Sequence, residues 1–247
     1  MKNSTRVFLS EIKKAIIRHS LIVDGDIIGV GISGGKDSIA LLYSLCDIIR
    51  SAPVRFKFIA ILIDLGWLSD LSPIVDFCQQ KNIQLHIEPS DIAKIVFEIR
   101  EEKQPCSLCA KMRRGALHNT AKMLGCNKVA LGHHLDDVIE TFFLNLIYTG
   151  QMKTFLPAIY LDRSDITLIR PMIYVTEDDV VNLVGRENLP VVSSNCPVDG
   201  KTKREEIKST VALLASHYPD FRSRFLTALK RPENPLWTDS VNNNFIL

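Results

Sequence analysis

The feature that most constrains the fold is an alternation of short apolar runs with segments of helical spacing over residues 26–150. Asp26 to Ile32 is rich in β-branched residues, and after a glycine-rich turn apolar residues recur at helical spacing up to Ile49. Further strands are predicted at 56–63, 83–87 and 129–131, and helices at 71–80, 92–100, 109–124 and 135–148. We therefore predict an α/β fold, a doubly wound and mostly parallel sheet with helices on both faces.

The alternation weakens beyond Gly150. A strand is predicted at 166–169 and helices at 177–187, 204–217 and 221–229, followed by an irregular tail with Pro232, Pro235 and three consecutive Asn. We divide the chain into an N-terminal helix (1–24), a main domain (25–200) and a C-terminal extension of helices and tail (201–247).

Composition limits the class of protein. The chain has 247 residues, of which 46% are hydrophobic and 23% charged, as is typical of globular proteins. Its longest apolar run, Phe58 to Ile63, is too short to span a membrane, so we expect a cytoplasmic protein without a membrane partner. Six cysteines in a reducing compartment favour metal or redox chemistry over disulfides. The net charge of +2 neither requires nor excludes nucleic acid.

The glycine-rich turn Ser33-Gly34-Gly35-Lys36-Asp37-Ser38 joins the first strand to a helix. Such a turn presents backbone N–H groups at a helix N-terminus, and Lys36 adds a positive charge, which together favour a phosphate ligand. A simple polar helix cap is the alternative, but a cap does not require two glycines and a lysine. Gly29 to Gly34 also matches G-x-G-x-x-G, yet its first two glycines fall inside the predicted strand, which argues against a dinucleotide site.

A second polar motif, Gly132 to Thr141, follows another predicted strand and opens another helix. Because carboxyl ends of parallel strands face one crevice, we expect this motif to lie beside the glycine-rich turn. Asp136 or Asp137 could hold Mg²⁺ between phosphate oxygens, whereas helix capping is the alternative role. Asp64, at the end of the second strand, could contact the nucleotide or metal, or cap its own turn.

The C-x-x-C pair Cys106 and Cys109 opens a predicted helix that also contains Lys111, Arg113 and Arg114. A helix N-terminus favours thiolates, so the pair is a candidate chelate. Spacing alone does not distinguish zinc, an iron–sulfur cluster, a redox dithiol and two buried cysteines. The absence of a second C-x-x-C in the sequence argues against a closed structural zinc site.

Together these motifs resemble a known superfamily. Residues 33–38 are similar to the phosphate loop of N-type ATP pyrophosphatases, and residues 132–141 to their histidine–aspartate motif. Residues 105–115, 130–137 and 169–172 closely resemble the tRNA 2-thiocytidine synthetases, over about residues 25–218. The resemblance implies a Rossmann-like PP-loop fold, ATP with Mg²⁺, a [4Fe-4S] cluster on three cysteines, and thiolation of tRNA cytidine 32 at C2.

The resemblance and the motifs give a set of candidate site residues. The predicted nucleotide site comprises Ser33, Gly34, Gly35, Lys36, Asp37, Ser38, Asp64, Gly132 and His133. The predicted catalytic residues are Lys36, Asp37, Asp136 and Asp137. Cys196 is the predicted third cluster ligand after Cys106 and Cys109, because it lies in a polar loop where a cysteine has no core role. The predicted RNA contacts are Lys111, Arg113, Arg114, Lys201, Lys203 and Arg204.

Several alternatives stay open at the level of sequence. The sulfur donor could be a cysteine desulfurase or free sulfide, and the oligomeric state is undetermined, with a homodimer among the options. Another PP-loop enzyme, such as a lysidine-type ligase or a thiolase of a different base or small molecule, would use the same phosphate loop. A non-catalytic ATP- or metal-binding regulator is a further candidate.

Overall fold

The computed structural model describes residues 2–66, 70–100, 105–192, 196 and 203–231. The helices are α1 (Lys2–Arg18), α2 (Lys36–Ile48), α3 (Ser72–Gln80), α4 (Ile92–Lys94, continued by a π-helical turn Ile95–Ile99), α5 (Pro105–Met123), α6 (Leu135–Thr149), α7 (Glu177–Arg186), α8 (Lys203–His217) and α9 (Phe221–Lys230). The strands are β1 (Ile27–Ile32), β2 (Lys57–Asp64), β3 (Leu85–Pro89), β4 (Lys128–Ala130), β5 (Ala158–Leu161) and β6 (Ile166–Ile169). No helix in these ranges is both long and apolar enough to cross a bilayer.

The six strands form one sheet in the order β3-β2-β1-β4-β6-β5. All neighbours pair in parallel except β5, which runs antiparallel to β6 at the edge. The predicted mostly parallel α/β fold is therefore confirmed. The sequence did not predict β5, a four-residue edge strand whose Tyr160 is half exposed, because a short half-exposed strand has little apolar pattern.

Apolar side chains cover both faces of the sheet, as the doubly wound prediction requires. One core joins the sheet to α1, α2 and α7, with Ile12, Leu41, Leu42 and Leu183 fully buried. A second core joins the opposite face to α4 and α5. A smaller cluster attaches α8 to α6 through Leu135, Ile139, Ile207 and Val211, and it anchors the C-terminal extension to the domain.

The two glycines of β1 allow α5 to approach the sheet closely. A Cβ atom at Gly29 would lie 2.8 Å from Ile61 Cδ1 and 3.2 Å from Ala121 Cβ, and one at Gly31 would lie 2.9 Å from Leu117 Cδ2. Since real Cβ atoms do not approach this closely, the glycines serve helix–sheet packing. This explains the G-x-G pattern inside the strand without a dinucleotide.

Gly29→Ala should therefore destabilise the protein. The added methyl overpacks α5 against β1, so the free energy of unfolding should fall by about 1–3 kcal/mol. Gly115→Ala is the control on α5, where a Cβ meets no atom within 4 Å and helix propensity should raise stability by about 0.5–1 kcal/mol. Urea denaturation measures both changes; equal stability of the two variants would contradict the close approach.

Candidate active site

The crevice lies where the strand order reverses. β1 and β4 are parallel neighbours, and the chain continues from β1 toward β2 and from β4 toward β6 on the other side. Loops at the carboxyl ends of such strands diverge and leave room for a ligand. The 33–38 turn follows β1 and the 132–137 motif follows β4, so the fold places the two motifs side by side. A Cβ at Gly132 would lie 2.8 Å from the Asp37 carbonyl oxygen.

The phosphate loop (residues 33–38) is held open by its own hydrogen bonds. Ser38 Oγ accepts from the Ser33 N–H at 3.1 Å and donates to the Gly35 carbonyl at 2.9 Å. Gly34 has φ +85°, which side chains rarely adopt, and its carbonyl accepts from the Val192 N–H at 2.9 Å. Gly35 caps α2 without a side-chain hydrogen bond, so the first amides of α2 remain available to an anion.

Lys36 lies between two carboxylates. Its Nζ is 3.1 Å from Asp37 Oδ1 and 3.0 Å from Glu177 Oε1. Burial alone would lower the pKa of Lys36, but the charge of Asp37 and the hydrogen bonds with Glu177 and Asp37 raise it overall. The residue therefore stays protonated and can contribute a positive charge to a phosphate ligand.

The second motif forms a capped helix start. Asp137 Oδ2 accepts from the His134 backbone N–H at 2.9 Å in a capping box at the start of α6. Asp137 Oδ1 forms an ion pair with Arg204 of α8, whose Nε donates to Glu140 Oε2 at 2.9 Å. The capping role considered from the sequence thus exists, and it occupies one oxygen of Asp137.

Asp136 is more enclosed than Asp137. It is 2% exposed, one oxygen accepts from the Glu177 N–H at 2.7 Å, and the other pairs with Arg222 Nε at 2.6 Å. Both carboxylate oxygens are thus engaged in joining α6 to α7 and α9. Both oxygens of Asp137 are engaged as well, although its side chain is more exposed, at 17% against 3% for Asp136. The metal and catalytic roles of the two aspartates stay predictions.

The His133 side chain is neutral and packs against the Phe155 ring, which also contacts Arg170. Its ring lies 4.7 Å from that of Phe155, and the Arg170 guanidinium lies 4.8 Å from the same Phe155 ring. Burial, together with the nearby charges of Arg170 and Arg204, lowers the pKa of His133 to about 3. His133 Nδ1 is buried without a hydrogen-bond partner among the described residues, so it remains available to a bound nucleotide or base.

Asp64 ends β2 at the same edge of the sheet. Its Oδ1 accepts from the Gly66 N–H at 2.7 Å, and its carbonyl accepts from Ser90 Oγ at 2.7 Å. The side chain therefore caps its own turn, one of the two roles considered from the sequence. Its contact with ATP or metal stays a prediction.

The predicted cluster cysteines Cys106 and Cys196 are both electrostatic neighbours of the third, Cys109. Cys106 is exposed and Cys109 half-buried in the first turns of α5, and Cys196 is half-buried. Burial raises the pKa of the Cys109 thiol, Arg113 opposes the rise, and the neighbouring Cys196 and Cys106 add to it. Among the described residues, no three His, Cys, Asp or Glu side chains are spaced for a single metal ion. The assignment of these three cysteines to a cluster stays a prediction.

The predicted RNA contacts fall into different settings. Lys111, Arg113 and Arg114 are exposed on α5 beside the C-x-x-C pair. Lys203 Nζ lies 4.3 Å from the centre of the Tyr148 ring, and Arg204 is paired with Asp137 and Glu140. An RNA contact by Arg204 stays a prediction that would require exchange of these pairs. Lys201 lies outside the described residues, as do 197–200 and 232–247.

Sequence reasoning missed Glu177, Lys208 and Arg222. Glu177 Oε1 accepts from Lys208 Nζ at 2.7 Å as well as pairing with Lys36. In the sequence, Glu177 is only an acidic residue after the N-cap Thr176, and Lys208 is one lysine on an amphipathic helix. Only their proximity in space connects them to the phosphate loop.

Glu177 should contribute stability that depends on pH. Burial alone would raise its pKa, but hydrogen bonds from Lys208 and Lys36 lower it to about 2. A depressed folded-state pKa gives stability that is present above the unfolded value of 4.5 and lost as pH falls toward 2. Glu177→Gln should therefore lower the free energy of unfolding by on the order of 1–3 kcal/mol at neutral pH.

The difference in free energy of unfolding between wild type and Glu177→Gln should shrink as pH falls from 5 toward 2. Chemical denaturation at several pH values would measure this difference. Glu205→Gln is the control, since Glu205 is an exposed carboxylate on the same polypeptide, in the first turn of α8. A difference that is constant with pH would contradict the ion-pair origin.

Comparison with known proteins agrees with this geometry. The PP-loop domain family matches residues 6–231. The tRNA-cytidine(32) 2-sulfurtransferase of Pelobacter propionicus is 41% identical over 220 residues, covering 87% of this chain and 82% of the relative. The enzyme of the same name from Geobacter sulfurreducens is 38% identical over 223 residues, which cover 87% of this chain and 86% of the relative.

A solved structure shares the fold. The U34-tRNA thiolase NcsA from Methanococcus maripaludis, solved with its [4Fe-4S] cluster, has a TM-score of 0.75 at 24% identity, over 91% of this chain and 76% of that chain. The PP-loop match and the two bacterial relatives confirm the resemblance drawn from the motifs. The chain therefore belongs to the PP-loop family and, within it, to the family of the tRNA-cytidine(32) 2-sulfurtransferases.

Proposed function

We propose that this protein is an ATP-dependent sulfurtransferase that replaces the C2 oxygen of tRNA cytidine 32 with sulfur. One observation carries the proposal. The segment that hydrogen-bonds the phosphate loop through Val192 ends at Cys196, whose thiol lies near Cys109. Four residues span at most about 14 Å, which limits the distance from Cys196 to the residue that contacts the phosphate loop and supports the proposal. A nucleotide site beside a cysteine triad suits activation of an oxygen followed by its replacement with sulfur.

In the first step, the C2 oxygen of cytidine attacks the α-phosphate of ATP and pyrophosphate leaves. The amides at the start of α2 and the Lys36 ammonium would stabilise the charge that develops on the leaving group. Asp37 and Asp137 would orient Mg²⁺ with the phosphates. Neutral His133, with its free Nδ1, is placed to contact the nucleotide or the base.

In the second step, sulfide attacks C2 and AMP leaves. Cys106, Cys109 and Cys196 would hold a [4Fe-4S] cluster through three irons. When bound, the cluster supplies an open iron site for hydrosulfide. The sulfide would come from a cysteine desulfurase or from free sulfide in the cytoplasm. The exposed Lys111, Arg113 and Arg114 beside the cysteines, with Lys203, would contact the tRNA phosphates.

Lys36→Met and Asp37→Asn should abolish adenylation without unfolding the protein. Each removes a charge from the phosphate loop at similar volume, and loss of one such group typically costs about 10²–10³ in rate. The measurements are tRNA-dependent AMP release and 2-thiocytidine by mass spectrometry of digested tRNA. Lys122→Met is the control, because Lys122 pairs with Asp165 at the opposite end of the sheet. Wild-type rates in both loop variants would refute the ATP site, and a wild type without AMP release would indicate a non-catalytic binder.

Cluster binding should depend on three cysteines only. Anaerobic reconstitution should give about four irons per chain, with loss of iron and thiolation in Cys106→Ala, Cys109→Ala and Cys196→Ala. Cys46→Ala is the matched control, since Cys46 is also half-buried but lies on α2 away from the triad. Retention of the cluster by Cys196→Ala would contradict its assignment as the third ligand. Stoichiometric zinc in place of iron would contradict the cluster itself.

A further inference from the structure

The C-terminal helix α8 reaches the nucleotide crevice with two cations. Ile207 and Val211 are buried against Leu135 and Ile139 of α6, and this contact sets the orientation of α8. Arg204 and Lys208 are four residues apart, so they project from the same side of the helix. Arg204 reaches Asp137 and Glu140, and Lys208 reaches Glu177. The start of α8 is thus part of the crevice wall.

Lys208 and Lys36 share one oxygen atom. Glu177 Oε1 lies 2.7 Å from Lys208 Nζ and 3.0 Å from Lys36 Nζ, so the two ammonium groups are close neighbours despite their like charge. Glu177 is itself fixed by α7, whose first N–H donates to Asp136. A phosphate group that lies on the same side as both nitrogens could therefore contact Lys36 and Lys208 together.

Lys208 also has free binding capacity. Its side chain is 45% exposed, and within the described residues its one hydrogen bond is to Glu177. An ammonium group has three N–H donors, so two remain for a ligand. Burial alone would lower the pKa of Lys208, but the hydrogen bond with Glu177 raises it overall, so it remains charged.

We propose that Lys208 is a second phosphate-binding cation of the nucleotide site, which Glu177 holds beside Lys36. The ligand groups are the terminal phosphates of ATP and the pyrophosphate that leaves. Lys208 would stabilise the same departing charge as Lys36. This inference rests on the proposed assignment of residues 33–38 to ATP.

The test is isothermal titration of the full chain with magnesium pyrophosphate, MgATP and AMP. Lys208→Met should lower the affinity for magnesium pyrophosphate and for MgATP about tenfold or more, as expected for loss of a charge-assisted hydrogen bond. AMP has no terminal phosphates, so its affinity should change by less than about twofold, and Lys208→Arg should restore most of the loss. Lys122→Met, which removes a lysine from an exposed pair elsewhere, should bind all three ligands as wild type does.

The outcomes separate the inference from the function on which it rests. If wild type binds MgATP and Lys208→Met binds it equally well, Lys208 serves only to neutralise Glu177 and the inference is wrong. An equal loss of affinity for AMP and for pyrophosphate in Lys208→Met would also overturn the inference, because that result indicates a disturbed fold. If wild type binds neither MgATP nor pyrophosphate, the assignment of the phosphate loop fails first.

Discussion

The parallel pairing of β1 with β4 is the contact on which the site depends. It joins two segments that are far apart in sequence and brings the phosphate loop against the histidine–aspartate motif. The Gly132 backbone lies so close to the Asp37 carbonyl that a side chain at this position would force the loops apart. The crevice between them exists because the chain leaves these strands in opposite directions across the sheet.

The charges in the crevice attach the C-terminal extension to the main domain. Asp136 and Glu140 are almost fully buried, and a buried carboxylate without a partner is costly. Their partners Arg222 and Arg204 come from α9 and α8, and Glu177 receives Lys208 from α8. Removing these helices would leave uncompensated negative charge where the phosphates of ATP must bind.

The cysteines show a similar dependence on distant segments. The C-x-x-C pair is a local feature of α5, but its neighbour Cys196 arrives on the segment that Val192 anchors to the phosphate loop. One stretch of chain thereby includes a contact with the phosphate loop and the cysteine that is predicted to be the third cluster ligand. Any displacement of this segment would affect adenylation and thiolation together, which suits an enzyme that must pass one base between two steps.

The sequence by itself determined the elements and the kind of chemistry. Apolar periodicity identified β1 to β4 and their helices, and the phosphate-loop and C-x-x-C residues carry a recognisable pattern because backbone geometry and thiol chemistry are local. The edge strand β5 was missed because its alternation is weak. Glu177, Lys208 and Arg222 have no local signature, since a single acid or base on a helix is usually solvated. Only the tertiary structure decided that Glu177 and Lys208 meet Lys36 and that Arg222 pairs with Asp136, because burial and pairing depend on which helices pack together.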